Sequence, residues 1–406
     1  MIIDYNKSLI FFFYLTNFVV LISLDIAYLI LLIFLFSQLF FLKLKFSYIK
    51  KYFRFFSLLF ITFFMGFCFS FSNGYLNILR DVYSFSTPII LLSFGYLLAS
   101  RLKISEVFYH LMICSTLMVV YQFIDFFIIK GFNFQNNLEQ FHSNNLYLIP
   151  LSISIILFYN KQANIDFKPY WKLIILTFLF LSLLLMNQRT HYLSFFILIL
   201  SNLGFFAIQK KLSLKKTFIS LSFFIVSILI FFFYGNQLNN KFDSSIQEIT
   251  NTKFESQRDI TIYWRAFEVY RALLSFEQSS MINKVFGSGF GKTIDLGGTF
   301  ALGNVDTNSI IRFHNGYITI LTKAGIVGLT AIILFYLKII KANIIVRRND
   351  LQKNIFIKKI ILGMSFTLLF TTIVAGGILN GAGMFGFLII FSFLMKKSDL
   401  LNEKAL

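Results

Sequence analysis

Arg312-Phe313-His314-Asn315-Gly316-Tyr317-Ile318-Thr319-Ile320-Leu321-Thr322-Lys323-Ala324-Gly325-Ile326-Val327-Gly328-Leu329 opens with a cation and an imidazole, then runs into an apolar stretch holding two glycines three residues apart. A titratable pair at the mouth of an apolar helix suggests chemistry. The same pattern also suits an interfacial histidine that meets only water or headgroups. Which reading holds depends on what surrounds this stretch in the rest of the chain.

The surroundings are overwhelmingly apolar. Of 406 residues, 57% are hydrophobic, 57 are Phe and only three are Pro, and the mean hydropathy is +0.75. A chain in water could not hide that much apolar surface, so lipid is the solvent for most of it. The expected fold is all-α, a polytopic membrane protein with about twelve spanning helices. Runs of about 17–25 apolar residues place them near 8–24, 26–42, 55–72, 85–100, 106–129, 143–159, 171–187, 190–208, 217–234, 315–337, 359–376 and 378–395. The first run lacks a small-residue cleavage site and reads as a retained helix.

The net charge of +19 does not point to nucleic acid. Lys and Arg are scattered through short connections instead of gathering in one stripe. They follow a topology rule: Lys43, Lys45, Lys50, Lys51 and Arg54, then Lys210, Lys211, Lys215 and Lys216, then Lys338, Lys341, Arg347 and Arg348 all fall on one side if both termini are cytoplasmic. Cys68 and Cys114 sit inside apolar runs and show no metal-ligand spacing. His110, His142, His191 and His314 are dispersed, and no Asp-x-Asp pair lies on an outside connection, so no metal site is expected.

This orientation divides the chain into a membrane bundle over 1–234, an outside segment over 235–314, and C-terminal helices with a cytoplasmic tail over 315–406. A connection of about eighty residues is usually functional or disordered. Its middle, Asp259 to Leu274, spaces apolar residues as an amphipathic helix does and is expected on or near the membrane surface. The turn Phe286-Gly287-Ser288-Gly289-Phe290-Gly291 lacks the six-position spacing and the preceding strand of a nucleotide loop. Gly289 nevertheless offers a backbone that can approach a diphosphate or sugar.

Arg189, in the short break Met186-Asn187-Gln188-Arg189-Thr190-His191, is either a snorkelling interfacial cation or a contact for an anionic, lipid-linked ligand. Arg258, Arg265 and Arg271 lie in the amphipathic segment. There a guanidinium fork suits a diphosphate, and a solvated charged face is the alternative. Arg80-Asp81 reads as a surface ion pair, with a place in the same cavity as the alternative.

His314-Asn315-x5-Leu321-x3-Gly325-x2-Gly328-Leu329, preceded by a long outside segment with Trp264 and the glycine turn, and further upstream by the Gln188-Arg189-Thr190 break, resembles the bacterial O-antigen polymerase and O-antigen ligase superfamily. The resemblance covers about 180–345 by motif. It implies a multi-helix enzyme of the bacterial inner membrane that uses undecaprenyl-diphosphate-linked glycans and needs no cofactor, metal or nucleotide sugar. Its implied partners are that lipid-linked oligosaccharide, the bilayer and a chain-length regulator protein. Arg189 and His314 match the family's functional arginine and histidine, and Trp264, Asn315 and Gly289 join them as implied substrate contacts. The family's loop arginine falls on Ile260 here, which leaves Arg258 or Arg265 as its substitute. A Phe-, Ile-, Lys- and Asn-rich composition favours a polysaccharide polymerase acting in lipopolysaccharide biosynthesis. Ligation of the glycan to lipid A-core is the alternative within the superfamily, and transport of lipid-linked glycans is the alternative outside it.

Overall fold

The structure is a computed structural model and describes residues 5–41, 46–71, 73–129, 144–159, 168–186, 188–206, 208–209, 254, 257–302, 305–346 and 352–403. The described chain is an all-α membrane protein with one small β-hairpin and a pair of two-residue strands. Helices α1 (Tyr5–Ile22), α2 (Leu24–Phe41), α3 (Phe46–Cys68), α4 (Tyr75–Arg101), α5 (Ile104–Ile124), α6 (Leu148–Tyr159), α7 (Pro169–Leu185) and α8 (Arg189–Leu203) come first. Five helices in the described chain are long and apolar enough to cross a membrane, and shorter apolar ones accompany them. The expected span at 217–234 lies outside the described residues.

The C-terminal helix α14 (Gly381–Glu403) runs through the middle of the bundle, and Phe385, Phe387, Leu388, Ile389, Ile390, Phe391 and Phe393 on it are all fully buried. Lipid tails are as apolar as these side chains, so polar bonds and close contact hold such helices together. Ser392 Oγ donates to Leu92 O of α4 at 2.5 Å, and Asn145 bridges Asn17 Oδ1 and the Gly386 amide, each at 2.7 Å.

Between α8 and the last three helices lie strand β1 (Ile208–Gln209), helices α9 (Gln257–Ile262), α10 (Trp264–Glu277) and α11 (Met281–Phe286), and the antiparallel strands β2 (Ile294–Leu302) and β3 (Val305–Ile310). Strand β1 pairs in parallel with β4 (Ile345–Val346). The hairpin follows from alternation: Ile294 and Leu296 are buried while Asp295 and Gly297 are exposed. Phe267 of α10 packs at 5.3 Å on Phe300 of β2, and Trp264, Ile310 and Phe313 complete a small core. The Trp264 and Phe267 face of α10 therefore packs on the hairpin, while Tyr270 and Leu273 of the same helix, like Met281 and Ile282 of α11, stay exposed.

The expected single span at 315–337 is broken. Helix α12 (Gly316–Ile344) contains Gly325 at φ 68°, ψ −169°, outside any helical conformation. Tyr317 and Tyr336 lie on either side of it, and a straight helix would hold them about 28 Å apart at ~1.5 Å per residue. Yet Tyr317 Oη donates to Leu369 O at 3.0 Å while Tyr336 Oη lies 3.2 Å from Thr372 Oγ1, one turn further along α13 (Gln352–Val374). The two arms of α12 fold back towards the same stretch of α13. Only glycine fits the break, because a Cβ there would lie 2.4 Å from both Gly287 N and Val285 O, and the backbone is left-handed.

Candidate active site

Glu268 sits in the second turn of α10, on the face that carries Trp264 and Phe267, and is almost wholly buried. A buried carboxylate needs donors, and it has three. Trp264 Nε1 donates to Oε1 at 2.6 Å, and Oε2 accepts from the His314 amide at 3.1 Å and lies 2.9 Å from His314 Nδ1. An acceptor facing Nδ1 selects the tautomer with its proton there and leaves the Nε2 lone pair free. The His314 side chain is 51% exposed against 4% for Glu268, so the imidazole is anchored on one edge and open on the other.

The backbone around His314 is equally fixed. His314 O accepts from Gly376 N at 2.7 Å, and Asn315 caps α12 through Oδ1, which accepts from the amides of Tyr317 and Ile318. Arg312 donates to Leu379 O in the short helical turn Gly377–Leu379.

The glycine turn is a wedge between helices. Gly287 N, Ser288 N, Gly289 N and Phe290 N donate to Asn283 O, Thr322 O, Lys323 O and Gly66 O, and Gly291 N donates to Asp81 Oδ2 at 2.7 Å. Gly289 takes φ +81°, and a Cβ there would lie 2.1 Å from Phe69 O. Every amide of 287–291 is thus bonded within the protein, and Gly289 serves close packing against α3. Below the turn, Lys323 Nζ and Asp81 Oδ2 form a buried ion pair at 2.6 Å, with 1% and 2% exposed side chains. Asp81 pairs with Lys323 and not with its neighbour Arg80, contrary to the surface pair expected from sequence.

Arg189 is exposed at the first position of α8. Helices α8 and α13 run antiparallel: Ser201 Oγ donates to Lys359 O, while Leu198 faces Gly363. Continuing that register brings Arg189 level with about Thr372, which packs against Gly316, two residues from His314. Arg265 is half-buried beside Trp264. Arg258 belongs to α9, and its side chain lies outside the described residues. Of the residues singled out from sequence, Trp264 and His314 meet on one carboxylate, whereas Asn315 and Gly289 have structural bonds of their own. Sequence reasoning missed Glu268. Its signal is an acid four residues after Trp264, on the helix face that carries Phe267.

Residues 174–333 match the family model described as O-antigen ligase. This match covers well under half of the chain and supports its resemblance, over that segment, to the O-antigen polymerase and ligase superfamily. No curated protein and no solved structure matches it. The matched segment contains Arg189, Glu268, Arg312, His314 and Lys323, and members of the matched family are glycosyltransferase-like enzymes. Arg80, Asp81 and Gly376 are contributed from outside it. Among the described residues, no group of three or more His, Cys, Asp or Glu side chains could hold a metal ion.

Proposed function

We propose that this chain is a polysaccharide polymerase. It would transfer a glycan from undecaprenyl diphosphate to a sugar hydroxyl of a second lipid-linked unit at the periplasmic face of the inner membrane. The single observation carrying this reading is the Glu268–His314 pair, a buried carboxylate holding an imidazole whose other nitrogen faces outward.

In this reaction His314 Nε2 accepts the proton of the acceptor hydroxyl as its oxygen bonds to the anomeric carbon. The bond from that carbon to the diphosphate breaks, and the diphosphate leaves with the electron pair. Glu268 keeps the imidazole in the required tautomer and offsets the charge it acquires. The leaving group is good already, so the rest of the task is alignment and neutralisation of the charge that builds on departure. Arg189, with Arg258 or Arg265, supplies guanidinium groups for that purpose, and no metal is required.

Two experiments test the reading. His314→Ala and Arg189→Ala are expected to abolish long-chain polysaccharide while the protein remains in the membrane, and normal chain length in both would overturn the assignment. Lipopolysaccharide from a deletion strain separates the activities. A core carrying one repeat unit marks a polymerase, and a bare core with intact lipid-linked polymer marks a ligase.

A further inference from the structure

Helix α11, Met281-Ile282-Asn283-Lys284-Val285-Phe286, begins where Ser280 Oγ accepts from the Asn283 amide. Met281 and Ile282 are 73% and 61% exposed, and Phe286, four residues after Ile282, is exposed on the same side. Lys284 is the only charge on this helix. The bare apolar face has membrane helices on both flanks. Phe286 stacks at 5.7 Å on Phe69, just past the end of α3, and Phe290 N donates to Gly66 O within α3. Gly287 and Val285 close on Gly325 of α12. Phe64, Phe67 and Phe71 are exposed on α3 and in the turn after it, and Ile326 is exposed immediately beyond Gly325. Helix α12 is long and apolar enough to cross a membrane, and α3 packs along it, so the outward side chains of this pair face lipid. The face of α11 extends that lipid-facing surface at its edge. The edge lies towards His314, because Arg80 in the next helix, α4, and Arg312 line one cleft.

We infer that α11 is an interfacial helix whose Met281, Ile282 and Phe286 enter the membrane leaflet on the His314 side and clip the segment 257–310 to the bilayer. An apolar patch continuous with lipid-facing helices is matched by acyl chains. Half-buried Lys284 suits the same boundary, since its stem lies in apolar surroundings while its ammonium reaches the headgroup phosphates. The contact falls one helix later than the periodicity of Asp259–Leu274 suggests. On α10 the exposed Leu273 shares its side with the exposed Glu277, four residues on, and that carboxylate is costly to bring into lipid.

The consequence is a fixed height for the site. Only Gln278, Ser279 and Ser280 separate α11 from α10, the helix that carries Glu268. An inserted α11 holds Glu268, and through it His314, at the level where the diphosphate of a lipid-anchored sugar lies. This consequence rests on the proposed glycosyl transfer, whereas the insertion does not.

Fluorescence quenching in the full-length protein tests the insertion. I282C, L273C and I33C are made singly in a C68S background, where the remaining Cys114 is buried, and are labelled with an environment-sensitive fluorophore in nanodiscs of phosphatidylethanolamine and phosphatidylglycerol. Ile33 is exposed on the apolar helix α2 and sets the value for lipid. Doxyl-labelled lipid should quench the label at 282 to within about twofold of that at 33, and aqueous iodide should quench it about fivefold less than the label at 273. Ile282 is an exposed side chain, so its replacement spares the core, and M281C repeats the measurement if I282C does not accumulate. The proposal is overturned if iodide reaches 282 as readily as 273. A label at 282 shielded from both quenchers marks contact with a second copy of the chain and overturns it too, as does equal lipid quenching at 273 and 282, which would lay the whole segment flat on the membrane. The readout needs no transfer, so an inactive protein with lipid quenching at 282 would remove the proposed reaction and leave the insertion standing.

Discussion

His314 Nδ1 lies 2.9 Å from Oε2 of Glu268, a carboxylate that also receives the His314 amide and the Trp264 indole. Three donors from two distant parts of the chain make this residue the fixed point of the site. Glu268→Gln is expected to lower transfer by about 10²-fold, within the range that a positioned general base contributes. Glu268→Gln keeps the size and one acceptor, so the protein should still reach the membrane. Chain-length profiles at matched protein level read the outcome, and wild-type profiles would remove His314 from the base role.

At Arg189 a fork and a point charge can be told apart. Arg189→Ala should cost about 10²–10³-fold, as loss of one preorganised donor does, while Arg189→Lys recovers part of that because it restores charge without bidentate geometry. If both variants retain normal polymer, Arg189 is only an interfacial cation.

Gly325 makes the fold of α12 possible. Gly325→Ala forces a Cβ within 2.4 Å of Gly287 N and Val285 O at a φ of 68°, and left-handed strain alone costs about 1–3 kcal/mol. Thermal unfolding in detergent should show a lowered midpoint. Gly74→Ala, whose Cβ would meet only the Asn77 amide at 3.6 Å, should leave the midpoint unchanged. Equal midpoints for the two variants would mean that the break is not held by this contact.

The Asp81–Lys323 pair joins α4, the glycine turn and α12. Removing one charge strands the other in a buried site, which costs about 3–5 kcal/mol. Asp81→Asn or Lys323→Met alone should therefore destabilise strongly. The double variant should recover much of the loss, since the side-chain carbonyl that Asp81→Asn retains still accepts from the Gly291 amide. A double-mutant cycle on unfolding measures this coupling, and strict additivity would show that the pair contributes no net interaction.

Much of this protein is legible in its sequence. Apolar runs of membrane length point to an all-α bundle, because lipid tolerates no unpaired backbone, and the order of Arg189, Trp264 and His314 carries the resemblance to the superfamily. The hairpin at 294–310 is not among the elements read from sequence: alternation of buried and exposed residues holds only from Ile294 to Gly297 and breaks at Gly298 and Thr299. What sequence could not supply is pairing across distance. Asp81 beside Arg80 looks like a surface pair until Lys323 reaches it, and Glu268 looks solvated until His314 folds onto it.

Local pattern determined which segments enter lipid and which residue types are available for chemistry, since hydropathy and periodicity are properties of neighbouring residues. Only the tertiary structure decided that α12 doubles back at Gly325, that the glycine turn bonds to protein and offers no free amide, and that Arg80 and Arg312 line one cleft. Those outcomes depend on which charges and backbone groups meet after the chain has packed, and a buried charge accepts whichever partner the packing delivers.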